Sequence, residues 1–318
     1  MKKIVTLIIV VLLFACKPSV TTDPKSKTIT ITSAQVEEIV TYLASDELQG
    51  RDTGSLGIEK AGVYIEKQLQ SFGVKPYFET YRDDFKIADK DAFNIVGFIE
   101  GNDSKLKEEI IIIGAHYDHI GFKLPFETDS IANGANDNAA GTSTVLTMAN
   151  YFASKKNNKR SIMFALFSAE EKGLLGSKHL AKKLKAQSIN IYTMLNFEMI
   201  GVPFKDRDYV GFVTGYDLSN MAVKINEYVG SNLIGFSEVA KQYDLFKQSD
   251  NYAFYNEFKL PSQTISSCDL SNYDYYHHVD DEADKLDYNH MASFINKIIP
   301  AIEKMSNTPT KEIFMYEE

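Results

Sequence analysis

Apolar residues recur at helical spacing in some parts of the chain and form continuous runs in others. Helical spacing predicts helices at 33–43, 57–72, 138–154, 174–185, 217–230 and 287–305. Apolar runs predict strands at 94–100, 109–114, 161–167 and 192–197. Strands that alternate with helices in this way favour a single α/β domain, in which helices cover both faces of a central, mostly parallel mixed sheet.

The N-terminal end has a different pattern. Lys2 and Lys3 precede an apolar run over 4–14, and Ala15 is followed by Cys16. This order is typical of a secretory signal, and the run is too short for a membrane-spanning helix. The cysteine makes the segment resemble a bacterial lipoprotein signal, in which Cys16 carries the lipid after cleavage. An ordinary signal peptide with a chance cysteine is the alternative.

The chain therefore divides into four predicted parts. Residues 1–16 are the signal, 17–30 a polar tether with two prolines, 31–306 the folded domain and 307–318 a C-terminal tail. We expect an exported lipoprotein that is anchored to a membrane through lipidated Cys16. Its position would be periplasmic, or on the outer membrane or cell surface.

The charge balance argues against nucleic acid as a partner. The formal net charge is −9, and the basic runs KSK, KKNNKR and KKLK are short and lie next to predicted helix ends or loops. The chain has two cysteines, so a lipidated Cys16 leaves Cys268 without an intramolecular partner. The domain must then be held together by its apolar core.

Five side chains of metal-binding type lie in five separate motifs. Three of them follow predicted strands, and ligands bind at the carboxyl ends of the strands in open α/β sheets. Neutral imidazole and ionised carboxylate are the ligands of zinc sites that keep one position open. The residues are His116 in IIIGAHYDHIG, Asp137 in NGANDNAAGTS, Glu171 in FALFSAEEKGLLGS, Glu198 in MLNFEMIG and His277 in YDYYHHVDDEADKLDY.

These five residues divide into ligand sets for two ions. Two ions about 3.5–4 Å apart, bridged by one carboxylate, can act on both a nucleophilic oxygen and a substrate carbonyl. Asp137 lies in a turn rich in Gly and Asn, which suits a bridging ligand. The expected sets are His116, Asp137 and Glu198 on one ion, and Asp137, Glu171 and His277 on the other.

Two further carboxylates have roles beside the ligands. Glu170 is the candidate general base, because its proximity to Glu171 pushes one of the two pKa values upward. Asp118 follows His116 by two residues and is placed to fix the tautomer of that imidazole. The remaining histidines are interpreted as structural or solvated: His119, His179, His278 and His290.

The motifs resemble those of the co-catalytic zinc aminopeptidase family, which also contains glutamate carboxypeptidases, glutaminyl cyclases and transferrin receptors. The similarity extends over residues 35–300 and includes LASDELQGRDTGS and SDNYAF. It implies that the five residues bind two zinc ions in a zinc-exopeptidase domain. It also implies that Glu170 is the general base and that Tyr276 donates a hydrogen bond to the developing oxyanion.

Three positions depart from the family's pattern. Glu198 stands where Asp is usual, so its longer side chain has to be accommodated at the metal. The usual SDH is here Ser249-Asp250-Asn251, which concerns the pocket lining more than catalysis. The segment after His277 reads HVDD instead of TPDD.

The resemblance implies a metallo-aminopeptidase acting on peptides, in which Glu170 deprotonates a zinc-bridged water. A glutaminyl-peptide cyclotransferase is an alternative; such cyclases place tryptophans around the substrate, and this chain has no Trp. A carboxypeptidase or dipeptidase of the same family is a second alternative, although the chain is short for the inserted domains of the larger carboxypeptidases. A non-enzymatic binding lipoprotein is a third, and the complete ligand set argues against it.

The sequence does not define which side chain the site accepts. Six aromatic residues are candidates for an apolar substrate pocket, and each is equally typical of a core position. They are Phe236, Tyr243, Phe246, Tyr252, Phe254 and Tyr273. Cys268 is interpreted as a buried structural thiol, with a place in the site wall as the alternative.

Overall fold

The computed structural model describes residues 29–126 and 128–317. The predicted signal at 1–16 and most of the predicted tether lie outside the described residues. The strands are β1 (Lys75–Pro76), β2 (Arg82–Ile87), β3 (Lys90–Ile99), β4 (Ile110–His116), β5 (Gly121–Phe126), β6 (Asp129–Ala132), β7 (Ser161–Phe167), β8 (Ile191–Phe197), β9 (Gly211–Val213), β10 (Ile234–Gly235) and β11 (Ser262–Ser266).

Nine of these strands form one mixed sheet within the described residues, in the order β1-β3-β7-β4-β8-β11-β9-β10, with β2 paired to β3. The four central strands β7, β4, β8 and β11 are parallel. The flanking strands β3 and β9 run antiparallel to them. The carboxyl ends of the four central strands therefore meet at one edge of the sheet. Strands β5 and β6 form a separate hairpin.

Helices cover both faces of the sheet. They are α1 (Ser33–Leu43), α2 (Leu56–Phe72), α3 (Gly141–Lys155), α4 (Leu175–Ala186), α5 (Met221–Val229), α6 (Glu238–Gln242), α7 (Asn251–Phe258) and α8 (Tyr288–Asn307). Helices α1, α2, α3, α5 and α8 contribute to the larger apolar core, and α4 and α7 contribute to the smaller one on the opposite face.

Strand β4 shows why a strand at the centre of the sheet has a continuous run of apolar residues. Side chains alternate between the two faces of a strand. Ile111 and Ile113 accordingly pack in the larger core, whereas Ile110 and Ile112 pack in the smaller core. Both faces are covered by helices, so a polar residue on either face would be buried. The α/β class and the mostly parallel central sheet are confirmed.

Element boundaries differ from the predictions by up to four residues, and one of the differences lies next to the site. The helix predicted from residue 138 begins at Gly141, because residues 135–140 form a wider turn in which Asp137 and Asn138 have non-helical dihedral angles. Helix α2 is capped by Ser55, whose hydroxyl accepts from Ile58 N at 3.3 Å, and ends at Gly73 with φ of 77°.

In the described part of the chain, no helix is long and apolar enough to cross a membrane.

Candidate metal centre and catalytic pocket

The carboxyl ends of the central strands place four of the predicted site residues. His116 is the last residue of β4, Glu170 and Glu171 lie in the turn after β7, and Glu198 directly follows β8. Two loops supply the other two predicted ligands. Asp137 comes from the turn before α3, and His277 from the connection between β11 and α8, where it has φ of 55°.

Asp137 lies at the centre of the resulting cluster. Its Oδ1 is 3.3 Å from His116 Nε2, and its Oδ2 is 3.2 Å from His277 Nε2. Glu171 Oε2 is 3.0 Å from the same nitrogen of His277. The two oxygens of Asp137 thus face the two histidines separately, which is the arrangement that a carboxylate shared by two ions requires.

The structure adds His119 to this cluster. Its ring is buried, and its Nδ1 lies 2.9 Å from Glu171 Oε1 and 3.8 Å from Asp137 Oδ2. Sequence reasoning interpreted His119 as structural or solvated, because it stands outside the predicted ligand set. Its position directly after the His-x-Asp sequence of the same motif was the available signal. His119 orients Glu171, and it also offers a further imidazole to the centre.

The donor set suits divalent metal ions. Ligand atoms of His116, Glu170 and Glu198 lie within 4.8 Å of one another, as do those of His119, Asp137 and Glu171. Among the described residues, the buried Nε2 atoms of His116, His119 and His277 have no hydrogen bond of good geometry. Buried imidazole nitrogens without partners, facing carboxylate oxygens, fit the nitrogen and oxygen coordination that zinc prefers.

The electrostatic environment attracts cations. Burial lowers the pKa of His277, but the nearby carboxylates of Asp137 and Glu171 outweigh burial and raise this pKa to about 10. Burial also raises the pKa of Glu170 well above its usual value; His116 opposes this shift, while Glu198, Asp250 and Glu171 add to it. So dense a group of carboxylates is stabilised by positive charge placed among them.

Asp118 holds both the first histidine and the two glutamates. His116 Nδ1 lies 3.2 Å from the backbone oxygen of Asp118 and 3.7 Å from its carboxylate. The carboxylate accepts hydrogen bonds from Glu170 N at 3.1 Å and from Thr53 Oγ1 at 3.2 Å. Asp118 is therefore a positioning residue: its carbonyl orients His116, and its side chain fixes the turn that carries Glu170 and Glu171.

Ser249 accommodates the longer side chain of Glu198. The Ser249 hydroxyl donates to Glu198 Oε2, and Asn196 Nδ2 donates to the same hydroxyl at 2.8 Å. Burial raises the pKa of Glu198 to about 7; His116 opposes this shift, and Asp137 adds to it. The SDN segment thus contributes its serine directly to a metal-ligand candidate.

Buried polar groups fix the loop that carries Asp137. The Asp281 carboxylate accepts from Asn136 N at 2.8 Å and from Asp137 N at 3.0 Å. The Tyr273 hydroxyl donates to Asp281 at 2.5 Å. Arg51 is also fully buried, and it donates to the backbone oxygens of Leu43, Tyr117, Asn133 and Gly134. These contacts tie the Asp137 loop to the end of β4.

A catalytic pocket of about 370 Å³ opens above the cluster. Tyr276 lines it and stacks on the His277 ring, with centroids 4.0 Å apart. Burial raises the pKa of the Tyr276 phenol and nearby site carboxylates add to this, so the phenol stays protonated at neutral pH. The apolar part of the lining is Leu174, Met199, Phe212, Leu245, Leu270 and Cys268.

None of the six aromatic residues proposed from sequence is among the residues that line this pocket. Phe254 packs against Phe167 in the core, Tyr273 is bonded to Asp281, and Tyr243 is 58% exposed. The remaining three, Phe236, Phe246 and Tyr252, line a separate cavity. Cys268 is both buried and part of the pocket wall, and burial raises its pKa to about 12.

The fold and this cluster agree with what comparison with known proteins shows. The chain belongs to peptidase family M28, whose family model matches residues 94–302. A probable leucine aminopeptidase from Trichophyton verrucosum is 28% identical over 255 residues, which are 77% of this chain and 63% of that protein. A probable zinc metalloprotease from Leptosphaeria maculans is 25% identical over 235 residues, 66% of this chain and 53% of that protein. The chain thus spans less than two thirds of these relatives' length.

Solved structures of similar fold include both peptidases and cyclases. The LapA aminopeptidase of Legionella pneumophila matches with a TM-score of 0.68 at 24% identity, over 87% of this chain and 71% of that chain. The glutaminyl cyclase of Porphyromonas gingivalis matches with a TM-score of 0.67 at 14% identity, over 86% of this chain and 99% of that chain. At these identities the likeness establishes the fold.

Proposed function

We propose that the protein is a zinc-dependent aminopeptidase that removes N-terminal residues from peptides. The observation that carries this proposal is the position of Glu170, a half-buried carboxylate of raised pKa that shares a pocket with the metal-type cluster. The family supports a peptidase, and relatives that are named as aminopeptidases support the N-terminal direction of cleavage.

Two zinc ions would be held at this cluster. The ligands of one would be His116, Asp137 and Glu198. The ligands of the other would be Asp137, Glu171 and His277. When bound, such ions polarise the peptide carbonyl and lower the pKa of a water molecule. The cluster supplies oxygen and nitrogen ligands, and Asp137 has one oxygen for each side.

Glu170 moves the proton in this scheme. It accepts a proton from the attacking water while the water oxygen forms a bond to the first peptide carbonyl carbon. As the C–N bond breaks, Glu170 gives that proton to the departing amine. A raised pKa makes a carboxylate a stronger proton acceptor. Tyr276 donates a hydrogen bond from its hydroxyl to the carbonyl oxygen as negative charge develops there, and it keeps its proton.

The pocket lining supports a preference for an aliphatic first residue. Met199, Phe212, Leu245 and Leu270 provide its apolar walls, against which an aliphatic side chain is buried favourably. This agrees with the name of the Trichophyton verrucosum relative, a probable leucine aminopeptidase.

Mass spectrometry of a mixed peptide pool tests the activity. Incubation with zinc-loaded protein should remove residues one at a time from the N-terminus, leucine before glycine. An unchanged pool would contradict the proposal. Loss of ammonia from peptides that begin with glutamine, with no residue removed, would favour the cyclase that the fold also allows; the absence of Trp argues against that outcome.

We further propose export and membrane anchoring through Cys16, on the sequence pattern of residues 1–16. Radiolabelled fatty acid should enter the wild-type protein in bacteria and not a Cys16→Ala variant. Equal labelling of the two proteins, or of neither, would contradict the proposal.

A further inference from the structure

A second cavity, which we call the aromatic cavity, lies beside the catalytic pocket. Its volume is about 610 Å³, within the usual range for ligand-binding pockets. The turn after β9, the segment around α6 and one face of α7 form its walls. Its aromatic lining consists of Tyr216, Phe236, Phe246, Tyr252 and Tyr255.

The rings of the aromatic cavity support one another. Phe246 is buried, and its ring centroid lies 5.8 Å from that of Tyr252 and 5.1 Å from that of Tyr255. Tyr216 and Phe236 form an edge-on pair with centroids 5.6 Å apart. Rings held in this way offer faces and edges on which an aromatic or large apolar side chain gains both burial and ring contacts.

Lysines surround the opening of the aromatic cavity. Lys241 pairs with Asp217 at 2.6 Å, and Lys247 pairs with Asp244 at 2.7 Å. Lys259 lies 4.7 Å over the Tyr255 ring, and it forms no ion pair within 29–126 and 128–317. A free ammonium beside an aromatic pocket suits a ligand that combines an apolar group with a carboxylate.

The aromatic cavity adjoins the catalytic pocket through two shared segments. Thr214 lines the catalytic pocket, whereas its neighbours Val213 and Gly215 line the aromatic cavity. Leu245 and Phe246 are divided between the two in the same way. The exposed Lys247 lines both, so the two cavities lie next to each other at its side chain.

We propose that the aromatic cavity is a distal substrate subsite, which binds an aromatic or large apolar residue downstream of the cleaved bond, with Lys259 beside the carboxylate of the peptide end. This inference rests on the proposed aminopeptidase function. Cavities of these volumes are on the order of 10 Å across, and an extended peptide rises about 3.3 Å per residue. The aromatic cavity therefore accepts the fourth residue when the first occupies the catalytic pocket.

Leucine release from matched tetrapeptides tests the proposal. Initial rates would be compared for Leu-Gly-Gly-Phe, Leu-Gly-Gly-Gly and the amide of the first peptide, all with zinc-loaded protein. The phenylalanine peptide should have a KM about tenfold lower than the glycine peptide at similar kcat, because one aromatic side chain is buried. The amide should lose part of that advantage. Equal KM values for the phenylalanine and glycine peptides overturn the proposal.

Single variants then locate the effect. Tyr216→Ala and Tyr255→Ala, on separate elements, should each raise the KM of the phenylalanine peptide about fivefold and leave that of the glycine peptide unchanged. Lys259→Ala should remove the difference between acid and amide. Tyr243→Ala is the matched control, since Tyr243 directly follows α6, is exposed and is not among the residues that line either cavity. If both cavity variants fold and neither changes the KM, the proposal fails.

The outcomes separate this proposal from the proposed function. If leucine is released from both peptides with equal KM, the activity stands and the subsite is wrong. If leucine is released from neither, the proposed function fails, and calorimetric binding of the same peptides decides the subsite. Tighter binding of the phenylalanine peptide that is lost in Tyr255→Ala supports it, whereas equal binding overturns it.

Discussion

The metal-type cluster is assembled from two regions that differ in how they hold their residues. The strand-end region carries His116, Glu170, Glu171 and Glu198 at or directly after the parallel strands β4, β7 and β8. The loop region carries Asp137 and His277 on segments outside the sheet. Ladder hydrogen bonds and an apolar core fix the strand ends, whereas the loops depend on a few buried polar contacts. The difference indicates that catalysis and metal retention can be damaged separately.

Replacing the base tests the strand-end region and should have the largest effect. Glu170→Gln keeps the size of the side chain but removes the proton acceptor, so we expect kcat to fall by about 10³–10⁴-fold. Zinc content, measured by inductively coupled plasma mass spectrometry, should remain close to two ions per chain. Glu79→Gln, an exposed surface change, is the control. A rate close to wild type would remove Glu170 from the base role.

The strand-end region was readable from sequence because its signals are local. An apolar run such as 161–167 can be buried on both faces only in a sheet, so the acids that follow it had to lie at the sheet edge. Strand β7 has the predicted limits, and β8 is one residue longer than predicted. This region supplies His116, Glu171 and Glu198 to the cluster, which also brings in Asp137 and His277 of the predicted ligand set from the loop region.

The loop region was less readable because its contacts join distant, polar segments. Nothing local marks Arg51 or Asp281 as partners of the Asp137 loop, because such partners are far apart in sequence. Arg51, for example, is 82 residues from Asn133. The sheet also has one strand that the apolar pattern does not predict. Strand β11 has the sequence SQTIS, which contains a single apolar residue, yet all five residues are buried. Its polar groups are paired inside the protein: Ser262 Oγ donates to Asn251 O at 2.8 Å, and Gln263 Nε2 donates to Thr214 O at 3.0 Å.

Removing the buried arginine should do the greatest damage to the loop region. Burial lowers the pKa of Arg51 to about 10, with Asp281 opposing this shift, so the guanidinium is charged at neutral pH. Arg51→Met leaves four buried carbonyl oxygens without their donor. We expect a loss of about 3–5 kcal/mol in the free energy of unfolding, measured by denaturant titration. Lys60→Met, which breaks an exposed ion pair at 3.3 Å, should cost less than about 1 kcal/mol. Equal losses in the two variants would contradict the role of Arg51.

The phenol next to His277 tests whether the loop region also takes part in the reaction. Tyr276→Phe removes one donor to the oxyanion and keeps the stacking on His277. We expect kcat to fall by about 10²–10³-fold with little change in KM or zinc content. Tyr243→Phe is the control, because its hydroxyl lies away from the pocket lining. An unchanged kcat would show that Tyr276 is part of the wall only.

The Asp281 carboxylate tests whether the loop region controls metal retention. Asp281→Asn replaces one of the two oxygens that accept from the amides of Asn136 and Asp137. We expect zinc affinity to fall by about 10–100-fold, as for other partners that orient metal ligands. Competition with a chromophoric chelator measures it, and Asp274→Asn on the exposed part of the same connection is the control. Because Asp137 faces both His116 and His277, the affinity for both zinc ions should fall. A zinc affinity equal to that of the wild type would contradict the positioning role of Asp281.

The smallest expected effect concerns Glu282, beside Asp281. Burial raises its pKa from 4.5 to about 7; a hydrogen bond from Asn133 opposes this shift, and the charges of Asp46, Asp129 and Asp281 add to it. A carboxyl whose folded-state pKa is raised stabilises the fold below pH 4.5, and that contribution is lost as pH rises through about 7. Glu282→Gln should therefore raise the melting temperature above pH 7, by about 1–2 °C for a partly exposed group, and leave it unchanged near pH 4. Glu238→Gln, an exposed change on α6, is the control. A melting temperature that rises equally at both pH values would place the effect outside the ionisation of this carboxyl.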